Sequence, residues 1–297
     1  MIERNRPLAG VLWMLASGLS FVAMTVLVKL VGTRMPSAEV GFLRYALGLP
    51  LLLPVLRRLW LPMDGRLFRL FAIRGAAHSV AVILWFYAIA RLPVVEVTAL
   101  NYLAPVYVTL GAALFLGERL ALRRIAAVGM ALMGALVILR PGIRELEPAH
   151  FAMLGGALAL GVSYLLAKRL TREASPELVV VMLSLVSTVA LFPFALPGWV
   201  WPTASELVLL FAVALLATAG HYFMTLAFRE APVSVTQPVT FLQLLWAALA
   251  GWVIFAEGLD IWVIGGGTMI VMAVSFIAWR EHVLARRVTP PVEALKG

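Results

Sequence analysis

Apolar and polar positions in this chain alternate on the scale of whole helices rather than of single turns. Ten apolar stretches, near 8–31, 38–56, 69–90, 94–116, 122–139, 149–167, 177–196, 205–228, 232–255 and 260–279, follow one another. The short breaks between them carry nearly all the charge. An α-helix needs about 20 apolar residues to cross roughly 30 Å of hydrocarbon. Lipid offers the backbone no hydrogen bonds, so such a stretch satisfies its own N–H and C=O groups by becoming a helix. The expected fold class is an all-α integral membrane protein of ten transmembrane helices, with the lipid bilayer as its first partner. The stretch from Leu8 to Val31 is long enough to span and reads as an uncleaved helix, not a signal peptide.

Composition agrees with the pattern. Hydrophobic residues make up 63% of the 297 and charged residues 13%, far from the usual soluble balance. The net charge of +9 does not point to nucleic acid, because the basic residues sit in loops and form no single stripe. There is no cysteine, hence no disulfide framework and no thiolate metal site.

The basic residues also orient the chain. With the N-terminus in the cytoplasm, most Lys and Arg fall on that side, among them Arg57, Arg58, Arg66, Arg69, Arg123, Arg124, Arg169, Arg286 and Arg287. The opposite side keeps only Lys29, Arg34, Arg91, Arg140 and Arg144. The positive-inside rule then puts both termini in the cytoplasm of a multi-pass inner (plasma) membrane protein.

A long-range repeat divides the stretches. Lys29 and Lys168, Pro54 and Pro193, Pro93 and Pro232, and Glu118 and Glu257 are each 139 positions apart. The unit is five helices. Five is odd, so the second copy enters from the opposite side and the halves are inverted repeats around a central cavity. The expected organisation is a first repeat at 1–140, a loop at 141–148, a second repeat at 149–280 and a cytoplasmic tail at 281–297.

The segment AIARLPVVEVTALNYLAPVYVTLGAALFLGERLALRRIAAVGMALMGALVIL (88–139) and its partner AFREAPVSVTQPVTFLQLLWAALAGWVIFAEGL (227–259) carry a Leu-Pro or Ala-Pro turn, a helix closed by Glu and a following Gly-bearing helix. With Lys29 closing the first helix and Arg44 in FLRY of the second, the chain resembles the drug/metabolite transporter superfamily, specifically its EamA-type ten-helix transporters. The second half departs from the first where Leu244 stands opposite Pro105. The resemblance implies a secondary transporter of small organic metabolites, of the amino-acid exporter type, working by alternating access. It would export neutral or aromatic amino acids as a monomer or weak homodimer. Importing another neutral or amphipathic metabolite is the alternative direction. A channel or membrane assembly protein is the alternative class.

Polar residues inside the stretches mark candidate sites, because they are costly in hydrocarbon. Thr98, Asn101, Tyr102 and Pro105 lie along one face of the fourth helix. Gln237 and Thr240 hold the matching positions of the ninth, with Gln243 nearby. These faces either line a shared cavity or join helices by hydrogen bonds. His78, with Ser79 beside it, lies deep in the third helix, and His221 in the eighth. Ser163 and Tyr164 lie in the sixth. His150 reads as interfacial. At the outer ends Lys29, Glu39, Arg44 and Glu96 form a gating or structural set, in which Lys29 or Arg44 would pair with Glu39 or Glu96. Glu118, Glu257 and Asp260 precede helices and read as structural caps.

Absences narrow the mechanism. No carboxylate lies in the middle third of any stretch, so coupling through a buried acid is not expected. Facilitated flux, or coupling through His78 or His221, is left. Arg44 and Arg74 each lie within about two turns of a helix end, and the cavity is expected to be nearly neutral. There is no H-E-x-x-H and no serine-nucleophile motif, so no enzyme, cofactor or metal is expected.

Overall fold

The computed structural model describes residues 7–56, 64–116, 122–170, 173–174, 176–230, 239 and 242–288. Among them are eleven helices: α1 (Pro7–Val31), α2 (Ser37–Leu56), α3 (Gly65–Ile89), α4 (Val94–Asn101), α5 (Ala104–Leu116), α6 (Leu122–Leu139), α7 (Pro148–Leu170), α8 (Pro176–Ala195), α9 (Ala204–Glu230), α10 (Leu242–Phe255) and α11 (Ile261–Val288). Seven segments are long and apolar enough to cross a membrane, and Ile125–Leu139 and Leu242–Phe255 are shorter apolar helices. The expected stretch at 38–56 is the 20-residue α2, which carries Glu39 and Arg44.

Local chemistry sets several helix starts. Asp64 Oδ1 accepts from the Leu67 N–H at 2.6 Å and caps α3. Thr203 and Glu206 form a capping box at α9, the Thr203 N–H donating to Glu206 Oε2 at 2.7 Å. Asp260 Oδ1 accepts from the Trp262 N–H at 2.9 Å, the cap expected for the last helix.

The fourth stretch differs from expectation, because it is two helices. Pro105 has no N–H to offer the Asn101 carbonyl, and its ring crowds that turn. The chain therefore tightens at Tyr102 and Leu103, whose N–H groups reach back only three residues, to Ala99 and Leu100. Regular bonding resumes with Tyr107 N–H to Leu103. The break is enclosed by protein: Leu100, Leu103, Ala104 and Val106 are all essentially inaccessible. That is where non-helical backbone is tolerated at membrane depth.

Packing is arranged for lipid rather than water. Along α1, Leu12, Leu19 and Leu30 face outward while Ser17, Ser20 and Thr25 are buried. Helices associate in lipid through close contact of small residues and interhelical hydrogen bonds. Ser17 Oγ donates to the Gly220 carbonyl at 2.9 Å, tying α1 to α9. The main pairings are α1 with α9, α3 with α7, α6 with α11, and α2 with α8. Secondary ones set α3 on α8, α2 on α9, α5 on α7, and α10 on α1 and α4.

At the α6–α11 crossing the two backbones meet directly. A Cβ on Gly134 would come within 2.6 Å of the Gly266 carbonyl oxygen, and one on Gly266 within 2.4 Å of the Gly134 oxygen. Backbone meets backbone there, so no side-chain rearrangement can make room. Overpacking such a contact costs about 1–3 kcal/mol. Gly134→Val and Gly266→Val are expected to lower the thermal midpoint and the monodisperse yield in detergent. Gly129→Ala, on the same helix with nothing within 4 Å, is expected to leave both unchanged. Fluorescence-detected size-exclusion after a heating series reads out all three.

Candidate functional site

Two polar assemblies occupy the bundle: one deep within it and one across the end that holds Lys29.

The deep assembly centres on His78 of α3. Its Nε2 is 2.7 Å from the Tyr45 hydroxyl of α2, and its Nδ1 is 3.5 Å from Ser163 Oγ of α7. The imidazole is thus held between hydroxyls from two other helices. Arg44 and Arg74 lie within electrostatic reach of it. Arg74 stands four residues before His78 and shares its helix face. It is buried, donates from Nη1 to the Val179 carbonyl at 2.9 Å, and has its Nε inaccessible and unbonded. Tyr45 and Tyr164 lie within its electrostatic reach. Arg44 stacks on the Tyr45 ring, 4.5 Å from its centroid. His221 of α9 meets the Phe21 ring edge-on at 5.0 Å.

From the expected set the structure brings His78 and Ser163 into contact, while Tyr164, half-exposed, and His221, against Phe21, lie in the same region without a contact described to His78. It adds Tyr45 and Arg74 and draws in Arg44. The four-residue spacing of Arg74 and His78 is the sequence signal for that addition; Tyr45 is signalled only by adjoining Arg44. Arg74, expected near a helix end, is buried one turn before His78, so the surroundings of His78 are not without charge. Ser79 does not join the assembly. It is buried and donates to its own helix at the Gly75 carbonyl, 2.8 Å. Thr98 likewise bonds within α4, to the Val94 carbonyl at 2.8 Å.

Between the fourth and ninth stretches, the Tyr102 hydroxyl donates to Gln243 Oε1 at 3.1 Å, at the α4–α5 break. Asn101, half-buried, precedes that break. Gln237, Thr240 and Glu118 lie outside the described residues. A separate open crevice between α10 and α11, lined by Leu244, Met272, Phe276 and Trp279, is apolar and holds none of these groups.

At the Lys29 end, ionic and capping bonds join segments far apart in the chain. Lys29 Nζ is 2.5 Å from Glu257 Oε1 and donates to the Leu92 carbonyl at 2.6 Å. Glu257 Oε2 accepts from the Val94 N–H at 2.9 Å, capping α4 rather than the helix that follows it in sequence. Its carboxylate is tucked so closely against α10 that a Cβ at Gly251 would sit 2.3 Å from Oε2. Glu39, fully buried, accepts from the Val200 N–H at 3.0 Å. Arg144 reaches Glu96 at 3.3 Å and His150 Nε2 at 2.6 Å. Arg34 pairs with Glu206, and Arg140 with Asp260. The partners expected for Lys29 and Arg44 are therefore replaced: Lys29 takes Glu257, Glu39 takes a backbone amide, and Glu96 takes Arg144. His150, read as interfacial, is buried and part of this network. At the opposite end the described ion pair is Arg66–Glu173, at 2.7 Å and largely exposed, a type worth little.

Comparison with known proteins accounts for the architecture. The model of the EamA-like transporter family matches residues 8–140 and again 147–279. The chain belongs to the EamA-like transporter family. It is 32% identical over 286 residues to a riboflavin transporter of Rhizobium johnstonii, covering 94% of each protein. It is 28% identical to the pseudopaline exporter CntI of Pseudomonas aeruginosa, covering 89% of this chain and 94% of that one. It is 26% identical to an S-adenosylmethionine uptake transporter of Rickettsia felis, covering 92% and 94%. A solved structure at 19% identity aligns with a TM-score of 0.56 over 93% of this chain and 99% of its own, a likeness of fold. The family and these relatives are transporters, and this EamA-like chain is not an enzyme.

The Lys29–Glu257 pair is mostly screened from solvent, so removing one partner strands a charge; such losses run at about 3–5 kcal/mol. Lys29→Met is expected to lower the thermal midpoint strongly. The double variant Lys29→Met with Glu257→Gln is expected to recover part of the loss. A carboxamide needs no counter-charge and still accepts from the Val94 N–H. A thermal-unfolding double-mutant cycle in detergent measures the coupling, and additive effects would rule the pairing out.

Proposed function

We propose that the chain is a secondary transporter of small metabolites that works by alternating access around the His78 assembly. The observation that carries this is the placement of that assembly. Side chains from α2, α3, α7 and α9 converge deep inside a bundle whose Lys29 end is bound shut.

The reading takes the ten apolar segments as ten spans in two inverted halves. Three observations support it. The family model matches twice, and landmarks recur at an offset of 139 residues. The packing also keeps its pattern when the halves are exchanged. The first helix of each half lies on the third of the other, α1 on α9 and α7 on α3. The second helices pair with each other, as do the fifth, α2 on α8 and α6 on α11. A cavity between such halves at the midplane, beside a broken helix, is where carriers of this build hold their solute. With the basic loops cytoplasmic, the Lys29 end is the outer one. The ion pairs and caps there form the outer gate, with Lys29, Glu39 and Glu96 among its members. Its closure would leave the cavity reachable from the cytoplasm.

The solute carries an aromatic or planar part and hydrogen-bonding groups. Tyr45, Tyr164 and Phe21 provide ring faces, and His78, Ser163 and Asn101 polar contacts. Amino-acid export, the finer reading of the resemblance, enters the same assay as one candidate. The relatives supply three others by name: riboflavin, pseudopaline and S-adenosylmethionine.

Counterflow in proteoliposomes preloaded with each candidate tests the proposal. Saturable accumulation of labelled solute is expected for at least one. His78→Ala and Asn101→Ala are expected to lower it about ten-fold or more in protein that still elutes as a single peak. Unsaturable flux would sink the carrier reading. Full transport by both variants would remove the site.

A further inference from the structure

We infer that the cavity selects solutes bearing a negative group, a carboxylate or phosphate held between Arg44 and Arg74 beside His78. The inference rests on the carrier reading and deepens it by naming the substrate class.

The starting point is charge balance. At 1.5 Å per residue, Arg44 lies about 10 Å into α2 and Arg74 about 14 Å into α3. The two helices enter from opposite ends, so both guanidinium groups sit well inside roughly 30 Å of hydrocarbon. Arg74 is buried and Arg44 half-buried, and guanidinium does not lose its proton in proteins, so neither becomes neutral there. Buried charges are ordinarily paired. Here the pairing is missing. Arg44 has its own Tyr45 ring as neighbour, and no hydrogen bond or ion pair forms to it among the described residues. Arg74 has one backbone carbonyl and a buried, unbonded Nε.

Among the described residues no carboxylate pairs with either of them. The segments 40–56, 66–89, 149–170 and 207–229 contain no Asp or Glu. Glu39 and Glu96, the acids of α2 and α4, are committed at the Lys29 end to the Val200 amide and to Arg144.

The two cations also converge. Arg44 lies on the ring of Tyr45, whose hydroxyl is 2.7 Å from His78 Nε2, and Arg74 stands one turn before His78 on the same helix, so both flank one imidazole. Forked donors in that volume match a planar carboxylate or a phosphate. The phenols of Tyr45 and Tyr164 beside Arg74 add neutral donors that an anion accepts. A zwitterion would satisfy the guanidinium groups with its carboxylate but would place an ammonium in a volume already positive. An anion lacking the amine fits better.

Two solute pairs of matched shape test this: phenylpyruvate against phenylalanine, and riboflavin 5′-phosphate against riboflavin. Each is added to purified protein in detergent, with thermal midpoint as the binding readout, and to the counterflow assay as competitor. The anionic member of at least one pair is expected to raise the midpoint and to compete at about ten-fold lower concentration, equivalent to about 1.4 kcal/mol. Arg44→Gln and Arg74→Gln are expected to abolish that preference, Arg74→Lys to keep most of it, and the exposed control Arg69→Gln to leave it unchanged. If Arg74→Gln does not fold, Arg44→Gln and the wild-type preference decide. Equal or better binding of the neutral members by wild-type protein would overturn the inference. So would a preference untouched by both Gln variants. Saturable counterflow without anion preference refutes this inference and leaves the carrier reading. Anion binding without counterflow does the reverse.

Discussion

A polar group taken below the lipid surface must find its partner inside the protein, and this constraint organises the molecule at every level. It makes each span a helix and encloses the one described break, at Tyr102 and Leu103, in buried Leu, Ala and Val. It also explains why Ser79, Thr98 and Thr109 fold back on carbonyls of their own helices. Such residues are satisfied locally and have no need of a ligand. Among the groups whose partners lie on other helices, two sets stand out. At the Lys29 end the partners are present and specific. Deep in the bundle, around His78, hydroxyls are present but the positive charge is not matched.

The contrast follows from where acids stand in the chain. Carboxylates occur where stretches begin or end, at Glu39, Glu96, Glu206, Glu257 and Asp260, and each meets a cation or an amide there. Those pairs join the first half to the second: Lys29 to Glu257, Arg34 to Glu206, Arg140 to Asp260, and Glu39 to the Val200 amide. On the carrier reading proposed above, an interface locked by ionic contacts at one end would open by exchanging one set of partners for another. A large continuous apolar seam would lack that option.

Much of this was legible from the sequence. Hydrophobic run length located nearly every helix to within a few residues. The 139-residue offset anticipated two copies of one family unit, and His78, Ser163, Tyr164 and His221 were visible as polar letters in apolar runs. What escaped was direction and partner. Arg44 was placed by its distance along the helix to the nearest end, a reading that suits snorkelling but says nothing of which way the side chain faces. Tyr45 gave no signal of its own, since most aromatics in bundles only pack. Glu257 was read as the cap of the next helix, whereas it caps α4 from a position 163 residues away in sequence, a pairing that no local rule contains. His150 follows a loop and so looked interfacial until Arg144 and Glu96 closed over it. The break in the fourth stretch was foreshadowed by Pro105, but hydropathy averages across two residues of turn and reports one span.

Relatives that share nearly full length with this chain at 26–32% identity bear names for chemically different solutes. A scaffold shared by relatives with different named solutes leaves side chains rather than the fold to set what each one carries. The scaffold contacts of this chain, such as Gly134 against Gly266, leave no room for variation. The His78 neighbourhood is different in kind. There His78 is held by the side chains of Tyr45 and Ser163 from two other helices, contacts that substitution can change without moving a backbone crossing. A charge placed there is costly unless a solute answers it, so whatever charge a member of the family keeps in that volume is a statement about its solute. In this chain that charge is positive, and it is carried by Arg44 and Arg74.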